Sequence, residues 1–307
     1  MKSAILAIPM HVLLPVVLMA HNEASAADYV QRPWTVAVEE GERVCESGDR
    51  IGYALYYPKF KEPAGRQQCP AVVITHGFMR NYSFHAANAK YMAERGIIVL
   101  TPNMSELFGG GRSRQRNAQN TANHIKWLAR RSEAEGDALY GLIDPKRIGL
   151  AGHSAGGAVS FQAAVISQAS PTPAAALCLL DAVPWHGTIK SAASFRQIPF
   201  CSLRSEPSRF NADAEVLKLL RAMPFAVEDV LICGASHVDP ENPSSTAAHI
   251  FAGGVHPDKQ ALYQKLMYLF FRDALGAPVM ESERETYSET LLKLQEEGRI
   301  VVKLISP

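Results

Sequence analysis

The segment 148–169 constrains this chain more than any other. Ile148-Gly149-Leu150-Ala151 reads as an apolar strand, Gly152-His153-Ser154-Ala155-Gly156 has the spacing G-x-S-x-G, and Gly157 to Ala169 reads as a small-residue helix. A strand that becomes a helix across one serine needs a sharp, strained turn. Glycines two places on either side remove the side chains that would collide there. Such a turn lifts the Ser154 hydroxyl clear of the sheet edge and leaves it at a helix N-terminus, where a developing negative charge is stabilised. Ser154 is therefore the candidate nucleophile, and the same residues demand a layered fold of strands and helices.

The rest of the chain agrees with that demand. Short apolar runs at 71–75, 97–101, 147–151, 174–180, 198–203 and 230–233 alternate with helical stretches at 86–95, 117–131, 156–169, 212–223 and 259–275. Gly96 suits a left-handed position closing the first helix. Apolar strands alternating with helices predict an α/β fold, a mostly parallel central sheet covered on both faces. Residues 34–39 and 51–57 predict an antiparallel hairpin at one sheet edge. The run Gly109-Gly110-Gly111-Arg112 lacks the Lys-Ser/Thr ending of a P-loop and reads as a flexible loop. The expected organisation is a leader over 1–26, one domain over 27–280, and a helix-strand appendage over 281–307 packed on that domain.

The leader follows from its three parts: Lys2, an apolar run from Ala4 to Ala20, and the small-residue ending Ala24-Ser25-Ala26. This is the pattern of an export signal cut after Ala26, and the apolar run, interrupted by Pro9 and Pro15, is short for a membrane span. The mature chain is expected outside the cytoplasm, with no stable membrane span. Hydrophobic residues make up 47% of the chain and the formal charge is +1. That excludes general disorder and argues against a nucleic-acid partner, which needs a basic excess. Five cysteines (45, 69, 178, 201 and 233) leave at least one that is free or pairs outside the chain. Cys45–Cys69 is a possible pair, and the other three read as core thiols.

A serine nucleophile needs a base, and in this chain order the base follows the last core strand. Val230 to Cys233 leads into Gly234-Ala235-Ser236-His237, so His237 is the candidate. His249 and His256 fall later, and His76, one strand away from the expected place, reads as a turn residue. The acid is open: Asp181 ends the strand 174–180, Glu206 follows the next strand, and Asp213 and Asp239 are further alternatives. The amides of Phe78, after the first core strand, and Ala155, after the nucleophile, are the candidate oxyanion donors. Only 16 residues separate Asp181 from Ile198, too few for a large cap domain. The cleft is expected to be open, bordered by Phe78, Met79, Trp185 and Phe108, and to suit apolar esters.

With these residues in place, the chain resembles the α/β-hydrolase fold, and within it the chlorophyllase and platelet-activating-factor acetylhydrolase type. The resemblance covers roughly residues 65 to 275. It rests on His76-Gly77-Phe78, on Gly96 to Pro102, on Leu180-Asp181-Ala182-Val183 and on Ser236-His237-Val238-Asp239, and it favours Asp181 over Glu206 as the acid. Pro184-Trp185-His186 is also similar to a segment of bacterial cutinase-like polyesterases. The resemblance implies a serine esterase with a Ser154–His237–Asp181 triad, acting on a small-molecule or polymeric ester with neither metal nor organic cofactor. A peptidase or amidase on the same triad and a non-catalytic binding protein are the alternatives.

Overall fold

The computed structural model describes residues 29–30, 33–60, 68–105, 110–244 and 254–307. The expected leader 1–26, Phe108 and His249 lie outside the described residues. Within the described residues the sheet follows from the apolar runs. The strands are β1 (Tyr29–Val30), β2 (Val36–Val44), β3 (Arg50–Pro58), β4 (Cys69–Thr75), β5 (Ile98–Pro102) and β6 (Ile143–His153). They continue with β7 (Leu177–Leu180), β8 (Phe200–Arg204), β9 (Val227–Ile232), β10 (Val279–Met280) and β11 (Ile300–Ile305). Nine of them form one sheet in the order β11-β9-β8-β7-β6-β4-β5-β3-β2, while β1 and β10 make a separate parallel pair.

The five pairings from β5 through β9 are parallel, and every residue of β4, β5 and β7 is buried. Parallel strands require crossovers, and crossovers place helices on both faces. Along β4 the side chains divide with period two: Val72 and Ile74 enter one core, Ala71 and Val73 the other. The first core is closed by α1 (Ala86–Ala93) and the helix over Pro257–Leu275, through Met92, Leu266, Phe270 and Phe271. The second is closed by α2 (Gly110–Glu133), α3 (Ala155–Ser167) and the short helix Val216–Arg221, through Ile125, Leu128, Phe161 and Leu219. A Cβ on Gly149 would stand 2.6 Å from a ring carbon of Phe271, so the helix over 257–275 lies flush on β6 because that position is glycine.

This is the mostly parallel α/β architecture of the α/β-hydrolase fold. The hairpin β2–β3 is antiparallel and joins β5 at the edge, as expected. The outer strand β2 carries Glu39, Glu40, Glu42 and Arg43, charges that discourage further pairing. Gly96 has the left-handed φ of 85°.

Three readings change, and the expected helix and strand of the tail take a specific place. The glycine run is not a loop where it is described: Gly110 and Gly111 begin α2, which starts seven residues before Asn117 and is held by packing on α3 rather than by propensity. The helix expected over 212–223 shrinks to Val216–Arg221, because Ala212, Asp213 and Ala214 all take positive φ (50°, 53° and 60°), which a right-handed helix cannot contain. The 281–307 tail supplies a helix (Tyr287–Glu296, entered through a Thr286–Glu289 capping box) and then β11, which pairs antiparallel with β9 as a strand of the central sheet. Finally, Cys45 and Cys69 are not bonded to each other. Cys45 follows β2, and β3 and β5 lie between β2 and β4. Three strand spacings amount to roughly 14 Å, about twice the Cα separation a disulfide tolerates. No helix among the described residues is long and apolar enough to cross a membrane.

Candidate active site

Ser154 stands between the end of β6 and the start of α3 with φ 55° and ψ −122°, a backbone that costs energy for any residue with a side chain. Its surroundings hold it there. A Cβ on Gly152 would run into the Gly156 carbonyl, one on Gly156 would meet the carbonyls of both Thr75 and His76, and one on Gly157 would come within 2.5 Å of the Ala182 Cβ. The end of β4 therefore lies directly against the turn, and the Thr75 hydroxyl donates to the Gly156 carbonyl at 2.8 Å. Gly156→Ala forces backbone on β4 apart. We expect it to lower stability by at least about 3 kcal/mol, read as a thermal midpoint roughly 6–12 °C lower.

The expected base and first-named acid converge on this turn. His237, five residues beyond β9, places Nε2 2.9 Å from Ser154 Oγ and Nδ1 2.6 Å from Asp181 Oδ2. Asp181 follows β7 with φ 42° and is 1% exposed. Its carboxylate also accepts the Ser205 amide at 3.0 Å, the Ser205 hydroxyl at 2.5 Å and two longer contacts from Asn211 Nδ2 at 3.3 Å. Burial works to raise the Asp181 pKa, but the hydrogen bond and charge of His237 and the two donors of Ser205 outweigh it and hold the carboxyl below its ordinary value. A carboxylate only accepts, so the imidazole proton belongs on Nδ1 and the Nε2 lone pair faces the serine hydroxyl.

The alternative acids have other partners. Glu206 is exposed and accepts the Gly234 amide at 3.2 Å. Asp213 is exposed on the left-handed turn. Asp239 is buried, accepting the amides of Ser236 at 2.7 Å and His256 at 2.8 Å. It braces the loop that carries His237 without being its partner.

Two histidines that sequence reasoning left aside help build the site. Nε2 of His76 accepts the Met104 amide at 3.1 Å, which leaves the proton on Nδ1 to donate to the Gly77 carbonyl at 2.8 Å. Burial pushes the His76 pKa down to about 4, so the ring is neutral and its tautomer is set. By holding the Gly77 carbonyl, His76 fixes the plane of the Gly77–Phe78 peptide and directs the Phe78 N–H to the opposite side. Gly77 itself packs on the nucleophile, since a Cβ there would lie 3.3 Å from the Ser154 Cβ. The second is His153. Its Nε2 is 2.7 Å from the backbone carbonyl of His237 and must donate to it. Its Nδ1 lies 3.4 Å from Glu241 Oε1, which also receives Arg80 Nε at 2.7 Å. Burial works to raise the pKa of Glu241, yet the neighbouring His153 ring and Arg80 keep it lowered. His237 is thus gripped at its ring by Asp181 and at its carbonyl by His153. The one sequence signal for this was a histidine at the first x of G-x-S-x-G.

Ser154 opens into a cleft of about 550 Å³ whose walls include Phe78, Ala155, Val159, Val183, Trp185 and Phe210. Ala155 is the first residue of α3, and its N–H has no acceptor within the helix. Phe78 is 45% exposed at the rim. Met79, expected as a wall, is not one: its left-handed backbone (φ 57°) turns the side chain out, and it is 61% exposed. Between Asp181 and β8 the chain forms only α4 (His186–Ser191) and one 3-10 turn, with no cap domain. Among the described residues no cluster of three or more His, Cys, Asp or Glu side chains is arranged to hold a metal ion.

No curated protein matches the chain. The family model of chlorophyllase matches residues 60–219, just over half of the chain, a span that holds Gly77-Phe78, the turn at Ser154, and Asp181 with its Ser205 and Asn211 donors. The chain belongs to the chlorophyllase family and is a hydrolase of the α/β-hydrolase type.

Proposed function

We propose that this protein is an exported serine esterase that cleaves carboxylic esters through an acyl-enzyme. The observation that carries the reading is the continuous hydrogen-bonded line from Ser154 Oγ through His237 to Asp181. As Ser154 attacks the ester carbonyl, His237 Nε2 takes the hydroxyl proton. Asp181, held anionic by Ser205 and Asn211, stabilises the imidazolium. The carbonyl oxygen becomes an oxyanion, and the amides of Ala155 and Phe78 receive it; a donor of this kind is worth about a hundred- to a thousandfold in rate. The alcohol departs with the proton from His237. Water, deprotonated by the same imidazole, then attacks the acyl carbon and frees Ser154.

The mostly apolar cleft, with no cap domain between Asp181 and β8, supports small or polymeric esters with apolar bodies as substrates, and the 1–26 pattern supports action outside the cytoplasm. Wild-type protein is expected to hydrolyse 4-nitrophenyl butyrate and to take up one equivalent of a fluorophosphonate, with peptide mapping placing the label on Ser154. Turnover of an aminoacyl anilide with no ester hydrolysis would convert the reading to an amidase. Absence of turnover and label together would leave a non-catalytic member of the fold.

A further inference from the structure

We infer that Arg114 makes this cleft selective for esters that carry a negatively charged group away from the scissile carbonyl. The inference rests on the esterase reading and narrows its substrate class. Among the described residues lining the cleft with Ser154, Arg114 is the one charged side chain and none is acidic. The guanidinium carbon stands 5.1 Å from the ring centroid of Trp185, over its face. Trp185 is fixed from beside, because a Cβ on Gly187 would come within 3.1 Å of its indole nitrogen. The cation–π contact holds the guanidinium at the cleft wall, where its N–H groups are the donors a carboxylate or similar anion would meet.

The surroundings reinforce the sign. Arg114 is in the first turns of α2, whose first turn has no acidic residue and whose positive dipole end points the same way. Arg112 and Arg116 flank it, and Arg116 is paired with Asp49 at 3.4 Å. Three arginines at the positive end of a helix oppose the usual preference for acids there. Gly110, also in that turn, lines the cleft, so the positive end of the helix borders the site. An apolar cleft with one oriented cation at its wall accepts an ester whose body is apolar and whose far end is anionic.

The test compares esters matched except for charge, each rate normalised to hydroxide hydrolysis. On the acyl side the pair is 4-nitrophenyl hydrogen adipate and 4-nitrophenyl hexanoate; on the alcohol side it is 3-carboxyphenyl butyrate and phenyl butyrate. We expect kcat/KM to favour the anionic member about tenfold in one pair at low salt, and the pair that shows it identifies which end of the ester meets Arg114. The preference falls in 0.5 M salt through screening. Arg114→Gln brings the ratio close to one and Arg114→Glu inverts it, while Arg114→Lys keeps part of it. Hexanoate and phenyl butyrate hydrolysed without charge preference in either pair, or a preference unaltered in Arg114→Gln, would overturn the inference and leave the esterase reading intact. Absence of any ester hydrolysis removes the esterase reading, and the inference with it.

Discussion

Asp181→Asn lowers kcat on a neutral aryl ester by about ten-thousandfold with little change in KM, whereas Glu206→Gln alters it less than about threefold. The side-chain amide that replaces the Asp181 carboxylate can keep its oxygen on the Ser205 N–H, but it then turns an NH2 toward His237 Nδ1. That favours the tautomer with the proton on Nε2, which faces Ser154 with a donor where the reaction needs an acceptor. The imidazolium formed during attack also loses its buried counter-charge. Glu206 touches the Gly234 amide from an exposed position and has no part in either effect. Circular dichroism and a melting curve on Asp181→Asn separate lost chemistry from lost fold. A large loss in Glu206→Gln with an active Asp181→Asn reassigns the acid.

Acid is the second large effect. Stability is expected to fall by on the order of 5 kcal/mol or more between pH 6.5 and pH 4, enough to unfold a protein of ordinary stability. Three buried histidines drive this. Burial pushes His76 down to about 4 and His85 down to about 3, and burial together with the adjacent Arg43 sends His124 well below its ordinary value. In the unfolded chain each takes a proton near pH 6.5, while in the fold each stays neutral. The unfolded state therefore binds more protons as pH falls, and stability drops through this window until the folded values are reached. The contacts explain the refusal: Arg43 Nη1 is 2.7 Å from His124 Nδ1, and Asn88 Nδ2 is 3.2 Å from His85 Nδ1, so both ring nitrogens face donors.

The depressed carboxyls of Asp181 and Glu241 act later and in the same direction. Their contribution is present above the ordinary carboxyl range and is lost as pH falls through their lowered folded values. Urea unfolding at several pH values reads the slope. His85→Gln flattens it by up to about one proton, or 1.4 kcal/mol per pH unit. Stability that stays level from pH 6.5 to 4.5 would contradict the burial argument.

Much of the site's frame was legible because it depends on neighbours in the chain. The glycines around Ser154 announce a turn that admits no side chains. The apolar runs ending at Leu180 and Cys233 announce strands, and Asp181 and His237 follow them at one edge of a parallel sheet. What was not legible involves partners brought from elsewhere. Asn211 reaches Asp181 across 30 positions from a strained left-handed turn at 212–214, where alanine propensity alone reads as helix. Glu241 acts through His153, 88 positions earlier, and neither has a local pattern that names the other. Met79 and Phe78 are adjacent, and only the sign of one φ angle sends Met79 to solvent while Phe78 borders the cleft.

By itself, then, the amino-acid order determined the α/β alternation, the turn at Ser154 and the chain order of serine, carboxylate and histidine, because periodicity and turn chemistry act over a few residues. Only the tertiary structure decided that β11 closes the sheet, that Ser205 and Asn211 satisfy a buried carboxylate, and that Arg114 lies over Trp185. Those outcomes depend on which distant surfaces meet, and a buried polar group is stable only when the far side of the fold supplies its partner.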